Sequence, residues 1–151
     1  MKLNFIKISF LSLLFVFTLV ACSTDDDIND IFIGKTWYMS GGKLNGTDFT
    51  KDQVSSLYVN KDSYWIIFSQ GTFTGKLSTN TSFSGNWEAD GGHRRLKMNV
   101  TSSVNCEESV LDANIFRVIK NVTRYSGDSN ILEIFSDDNS YINMGSMRGN
   151  K

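Results

Sequence analysis

The 151-residue chain has no proline, one histidine and two cysteines, and its formal net charge is only −1. Without proline, reversals of the chain fall to glycine, asparagine and aspartate. From Gly34 onward 13 basic residues face 12 acidic ones. That balance gives no electrostatic reason to expect nucleic acid as a partner, and the basic cluster Arg94-Arg95-Lys97 is too short to change it. Long apolar runs are also scarce. The one that stands out, Ile8 to Ala21, is interrupted only by Ser9, Ser12 and Thr18 and falls short of the roughly 20 residues a spanning helix needs. About 120 residues remain for folding, enough for one domain with its own core and not for two. No internal repeat is visible.

What is present begins with that apolar run. Lys2 and Lys7 precede it and Leu19-Val20-Ala21-Cys22 ends it, which resembles the lipobox of bacterial lipoproteins. Residues 1–21 are read as a lipoprotein signal peptide that is removed, and Cys22 as the lipidated N-terminus that ties the protein to a membrane. Residues 22–33 follow as an acidic tether containing Asp25, Asp26, Asp27 and Asp30, too polar to fold. The tether is read first as a solvated spacer. It also resembles the surface-export signals of lipoproteins in some Gram-negative bacteria, which implies an outer-membrane protein with the cell surface as one side open to it.

Residues 34–151 alternate in the manner of half-buried strands between turn residues. Lys35 to Met39 precedes Gly41-Gly42. Tyr64 to Phe68 and Thr72 to Leu77 flank Ser69-Gln70-Gly71. Phe83 to Glu88 and Leu96 to Val100 flank Asp90-Gly91-Gly92-His93, and Ile131 to Phe135 and Tyr141 to Met144 flank Asp137 to Ser140. One segment differs: Leu111, Ile115, Val118, Ile119 and Val122 have the spacing of one helix face, predicting a helix over about residues 106–121. Asn105 with Glu108 would form a capping box at its start, with Ser109 or Asp112 as later N-caps. A further helical turn is predicted over Lys51 to Tyr58. The expected fold is α+β, mostly antiparallel β: a small β-barrel-like sheet with one packed helix.

The order of motifs resembles the META domain, the family that includes the HslJ-like proteins. The pieces are Gly34-Lys35-Thr36-Trp37, the run Phe68 to Gly75, Asn80 with Phe83-Ser84-Gly85-Asn86-Trp87, then Leu96-Lys97-Met98, Cys106, Phe116-Arg117-Val118-Ile119, Val122 to Tyr125 and Leu132-Glu133-Ile134. Where many members have Gly-Cys-Asn, this chain has Ser78-Thr79-Asn80. With Cys22 lipidated, Cys106 has no partner for a disulfide the family might use. The resemblance implies a part in envelope stress or surface properties and transfers no catalytic residue.

Materials for catalysis are few. His93 sits in a predicted turn, and one histidine with one free cysteine cannot furnish the three or four nitrogen and sulfur ligands of a zinc site. Cys106 is read as a small buried thiol, beside Glu107 and Glu108, which oppose thiolate formation. Asp137-Asp138-Asn139 is read as a hairpin turn without the glycine and glutamate of a calcium loop. No metal, cofactor or catalytic residue is expected. Because Tyr64 and Trp65 are neighbours on one strand, one of the two should face outward; with Trp87 they are the candidate binding residues. The expected function is that of a noncatalytic envelope lipoprotein that binds a protein partner. The alternative is a carrier of a small apolar or sugar ligand in a barrel mouth.

Overall fold

The computed structural model describes residues 26–54 and 62–147. Its frame is a nine-stranded antiparallel sheet in the order β2-β1-β3-β4-β5-β6-β7-β8-β9, and β1 also pairs with β9, so the sheet closes into a ring. The strands are β1 (Thr36–Leu44), β2 (Thr47–Thr50), β3 (Trp65–Ser69), β4 (Thr72–Lys76), β5 (Ser82–Asp90), β6 (Arg95–Val104), β7 (Arg124–Gly127), β8 (Ile131–Asp137) and β9 (Ser140–Met147). Three helices accompany them: α1 (Ile28–Phe32), α2 (Lys51–Val54) and α3 (Val110–Lys120). The α+β, mostly antiparallel architecture expected from the alternation is the one observed.

Pairing of β1 with β9 closes the sheet except at β2 and along β6 beyond its contact with β7, and sends the inward side chains into one core. Trp37, Phe32, Phe68, Phe73, Tyr125 and Ile119 are each at most 2% exposed in that core. Between β4 and β5 the register is reciprocal: Phe73 lies opposite Gly85 and Phe83 opposite Gly75. A Cβ on Gly75 would overlap the Phe83 ring. Gly75 therefore seats the Phe83 ring across the strand pair, whereas Gly85 makes room for the Asn99 backbone of β6.

Three expectations are corrected. Gly41-Gly42 does not end the first strand; β1 runs through both glycines with a register shift after Met39, and their φ of 137° and 144° let it bend against β9. Asn45-Gly46 makes the actual reversal into β2, with φ of 51° and 81°. The predicted capping box at Asn105 does not form either. The helix starts at Val110, capped by the Ser109 hydroxyl, which accepts the Asp112 N–H at 3.0 Å. Finally, the tether of residues 22–33 is packed from Asp26 onward. Asp27 caps α1 by accepting the Asp30 N–H at 3.1 Å, and Ile31 and Phe32 are buried. Ile28, Ile31 and Phe32 share one face at helical spacing, an apolar stripe strong enough to fold inside an acidic run. Of the helical turn predicted over Lys51 to Tyr58, α2 covers the first four residues and the remainder lies outside the described residues.

The two ends of the ring are closed differently. Strand turns alternate between ends, so Gln70-Gly71, Gly91 to Arg94 and Asp128 to Asn130 share one end with α1. Phe32 stacks there against Phe68, Trp87 and Tyr125 at ring-centroid separations of 5.0, 5.0 and 5.1 Å. Lys35 Nζ donates to the Asp30 and Ser129 carbonyls at 2.6 and 2.9 Å. The opposite end is covered by α3, whose Ile115, Phe116, Val118 and Ile119 are buried.

Candidate binding site

The chain leaves the sheet after β6 to build α3 and returns late. β7 has only four residues, and it meets β6 at a single register position, Arg95 opposite Arg124. Two hydrogen bonds bracket this contact: Leu96 N–H to the Thr123 carbonyl at 3.1 Å and Tyr125 N–H to the Arg94 carbonyl at 3.0 Å. Beyond Leu96, β6 has no paired strand on that side among the described residues. A groove of about 720 Å³ lies at this split, between the β5–β6 hairpin and the segment from Lys120 to Thr123. Ala89 and the edges of the buried Leu96, Met98 and Val122 form its floor; Glu88, Arg95, Lys97 and Lys120 supply charge. Lys97 pairs with Glu88 at 3.5 Å and Lys120 with Glu107 at 2.6 Å, whereas Arg95 has no ion pair among the described residues.

The three aromatic residues predicted as a binding surface are not brought together. Tyr64, which precedes β3 with a φ of 54°, is buried and donates its hydroxyl to Asp112 Oδ1 at 2.9 Å. It belongs to the core, because a phenol can bury its ring and still satisfy its hydroxyl. Burial first, then this bond to a carboxylate, hold the Tyr64 phenol above the usual tyrosine range. Trp65 is the outward one of the pair and lines a separate outer groove with Thr74, Lys76 and Asn80. Trp87 is half-buried, its Nε1–H donating to the Ser69 carbonyl at 2.8 Å and its ring packed on Phe32. It also lines a hollow shared with Glu88, Lys97 and Asn99, which adjoins the β6–β7 groove. Cys22 lies outside the described residues.

With Ser109 as the cap, Asp112, a candidate N-cap in the sequence, is instead a buried carboxylate at the first turn of α3. It accepts from Tyr64 and, through Oδ2, from the Ser78 hydroxyl at 2.6 Å, joining the helix to the starts and ends of β3 and β4. Cys106 is a free, buried thiol whose Sγ lies 3.3 Å from the Ser82 and Val104 carbonyls. Burial is the main reason its pKa is raised. His93 stands in an exposed turn with Nδ1 2.8 Å from Asp90 Oδ2, and this bond is the main cause of the lowered Asp90 pKa. Asp137 accepts the Asn139 N–H at 2.8 Å as a turn residue and Asp138 pairs with Arg124 at 2.6 Å.

Fold and groove together define a small α+β domain built on a closed antiparallel sheet. The chain belongs to the DUF4847 family, described as a domain of unknown function, whose family model matches residues 23–145. Among solved structures, a crystal structure of a DUF4847 family protein from Bacteroides vulgatus ATCC 8482 matches with a TM-score of 0.62. It shares 22% identity with this chain, over 82% of this chain and 99% of that one, a likeness of fold. No curated protein matches. The META resemblance is thereby overturned. Its motifs report packing in this closed antiparallel sheet, a buried Trp37 at the opening and Phe83 seated over Gly75, and do not mark a family.

Proposed function

We propose that this protein is a noncatalytic envelope lipoprotein, anchored through lipid on Cys22 at the outer membrane, whose domain binds a protein partner in the groove between β6 and β7. The observation that carries the reading is the split itself. A strand edge left unpaired beside an apolar trough suits an extended segment of another chain, which can pair with the edge and lay alternate side chains into the lining. Cys106 is buried with its pKa raised, which disfavours the thiolate a nucleophilic role would need.

A second reading rests on the same groove. Its volume falls in the range of small-molecule pockets, and Ala89 with the stems of Lys97 and Lys120 would meet an apolar ligand. The interior of the ring argues against a ligand deeper inside, because Trp37, Phe68, Phe73 and Tyr125 fill it. Photo-crosslinking in native membranes separates the readings. A photoactivatable residue at Asn99 or Asn121 should give a discrete protein adduct that excess unlabelled protein competes away, and one at Thr47 on β2 should not. Adducts with lipid alone at Asn99 favour the carrier; equal labelling from all three positions removes the groove as the site.

A further inference from the structure

We infer that the domain stands on the membrane on its α1 end, with the rim formed by the Gly91–Arg95 turn, Ile131 and Met147 against the phospholipid headgroups and α3 turned away. The inference rests on the anchor at Cys22 and adds an orientation to it.

Asp26 is fixed to this end of the ring. Its Oδ2 accepts from the Tyr125 hydroxyl at 2.9 Å and lies 3.0 Å from Arg94 Nε, and its Oδ1 accepts from Arg94 Nη2 at 3.1 Å. Gly91 leaves room for the Asp26 backbone, since a Cβ there would stand 2.6 Å from the Asp26 carbonyl oxygen. Cys22 is four residues away, so the lipidated residue lies within about 14 Å of Asp26 even with the chain fully extended. Strands of eight or nine residues, tilted as closure demands, set the far end about 20 Å higher. An anchor at Cys22 cannot reach the bilayer past the α3 end without tearing Asp26 from Tyr125 and Arg94.

The rim carries chemistry that suits a headgroup layer. Ile131 is 62% and Met147 42% exposed, on the first residue of β8 and the last of β9. Arg94 is held by Asp26, and Arg95, which has no ion pair among the described residues, supplies a guanidinium group for phosphate oxygens. Asp27 and Asp30 of the α1 segment stand at the same end with Asp90 and Asp128, so the contact is one of short tether and apolar side chains with Arg95 for phosphate, not of net positive charge. The other exposed large apolar residues, Val104 and Val110, flank the loop into α3 at the opposite end.

The test uses the mature chain isolated from membranes and reconstituted into vesicles of phosphatidylethanolamine and phosphatidylglycerol. A donor fluorophore is coupled to an azide-bearing residue replacing His93 or, in a second preparation, Asn139, and the acceptor is a headgroup-labelled lipid. Energy transfer should place position 93 closer to the bilayer than position 139 by about 20 Å. In a further preparation Ile131→Glu with Met147→Glu should lengthen the distance from position 93. Equal distances from 93 and 139 in protein that floats with the vesicles would mean a freely tumbling domain, and a shorter distance from 139 an inverted one; either overturns the orientation alone. Protein that fails to float overturns the anchor and the orientation with it.

Discussion

Replacing Phe32 by alanine tests whether the segment before Gly34 is part of the folded unit. The ring is fully buried and touches three aromatic neighbours, Phe68, Trp87 and Tyr125, at about 5 Å. Truncating a buried phenylalanine removes its transfer free energy and leaves a cavity whose rigid aromatic walls cannot collapse, a loss of about 3–5 kcal/mol. For a domain of this length each kcal/mol corresponds to about 4 °C in Tm, so the midpoint should fall by about 12–20 °C. Urea denaturation followed by tryptophan fluorescence and thermal melts by circular dichroism measure both quantities on the mature chain. A chain starting at Gly34 should be still less stable, since it loses Ile31, Phe32 and the Asp26 latch together. If Phe32→Ala costs under about 1 kcal/mol, below any buried aromatic truncation, the segment is a tether after all.

Asp112→Ala should destabilise by about 3 kcal/mol, because it strands the Tyr64 and Ser78 hydroxyls in a buried place, and a loss near zero would show that the carboxylate does not hold α3 to the sheet. The phenols of Tyr64 and Tyr125 are both held above the usual range, chiefly by burial. Stability from these groups should be fully present below about pH 10 and decline as pH rises further, with their absorbance change coinciding with unfolding; ionisation of every tyrosine in the folded state would contradict this. Iodoacetamide should label Cys106 slowly in native protein at pH 6 to 9 and quickly after denaturation, and rapid labelling at pH 6 would reveal a stabilised thiolate.

Much of the fold was legible because the period-2 alternation of Trp65 to Ser69, Thr72 to Leu77 and Ile131 to Phe135 reports burial directly. The stripe at Ile115, Val118 and Ile119 likewise marks α3. β2 and β7 were not read as strands. Each has four residues, too few for a pattern to emerge, although Asn45-Gly46 is a strong short-range hairpin signal and could have located β2. α1 escaped because composition outweighed periodicity: four aspartates hid the stripe of Ile28, Ile31 and Phe32. The groove was illegible for a different reason. It is made by where the ring fails to pair, and no residue of Leu96 to Asn99 announces that β7 will meet β6 at one position only. Tyr64 and Trp65 do face opposite ways, as alternation predicts, although Tyr64 precedes β3 and has a φ of 54°.

The proposed anchor underlies the functional reading, from the location at the membrane to the short reach from Cys22 to Asp26. Its most direct measurement is the intact mass of the protein purified from membranes, followed by sequencing of its N-terminal peptide. The account predicts a chain lacking residues 1–21 and carrying acyl mass on Cys22, with Cys22→Ala leaving an uncleaved precursor or a protein released from the membrane. A membrane-purified chain that begins at Met1, or one that begins at residue 22 with an unmodified thiol, would contradict it.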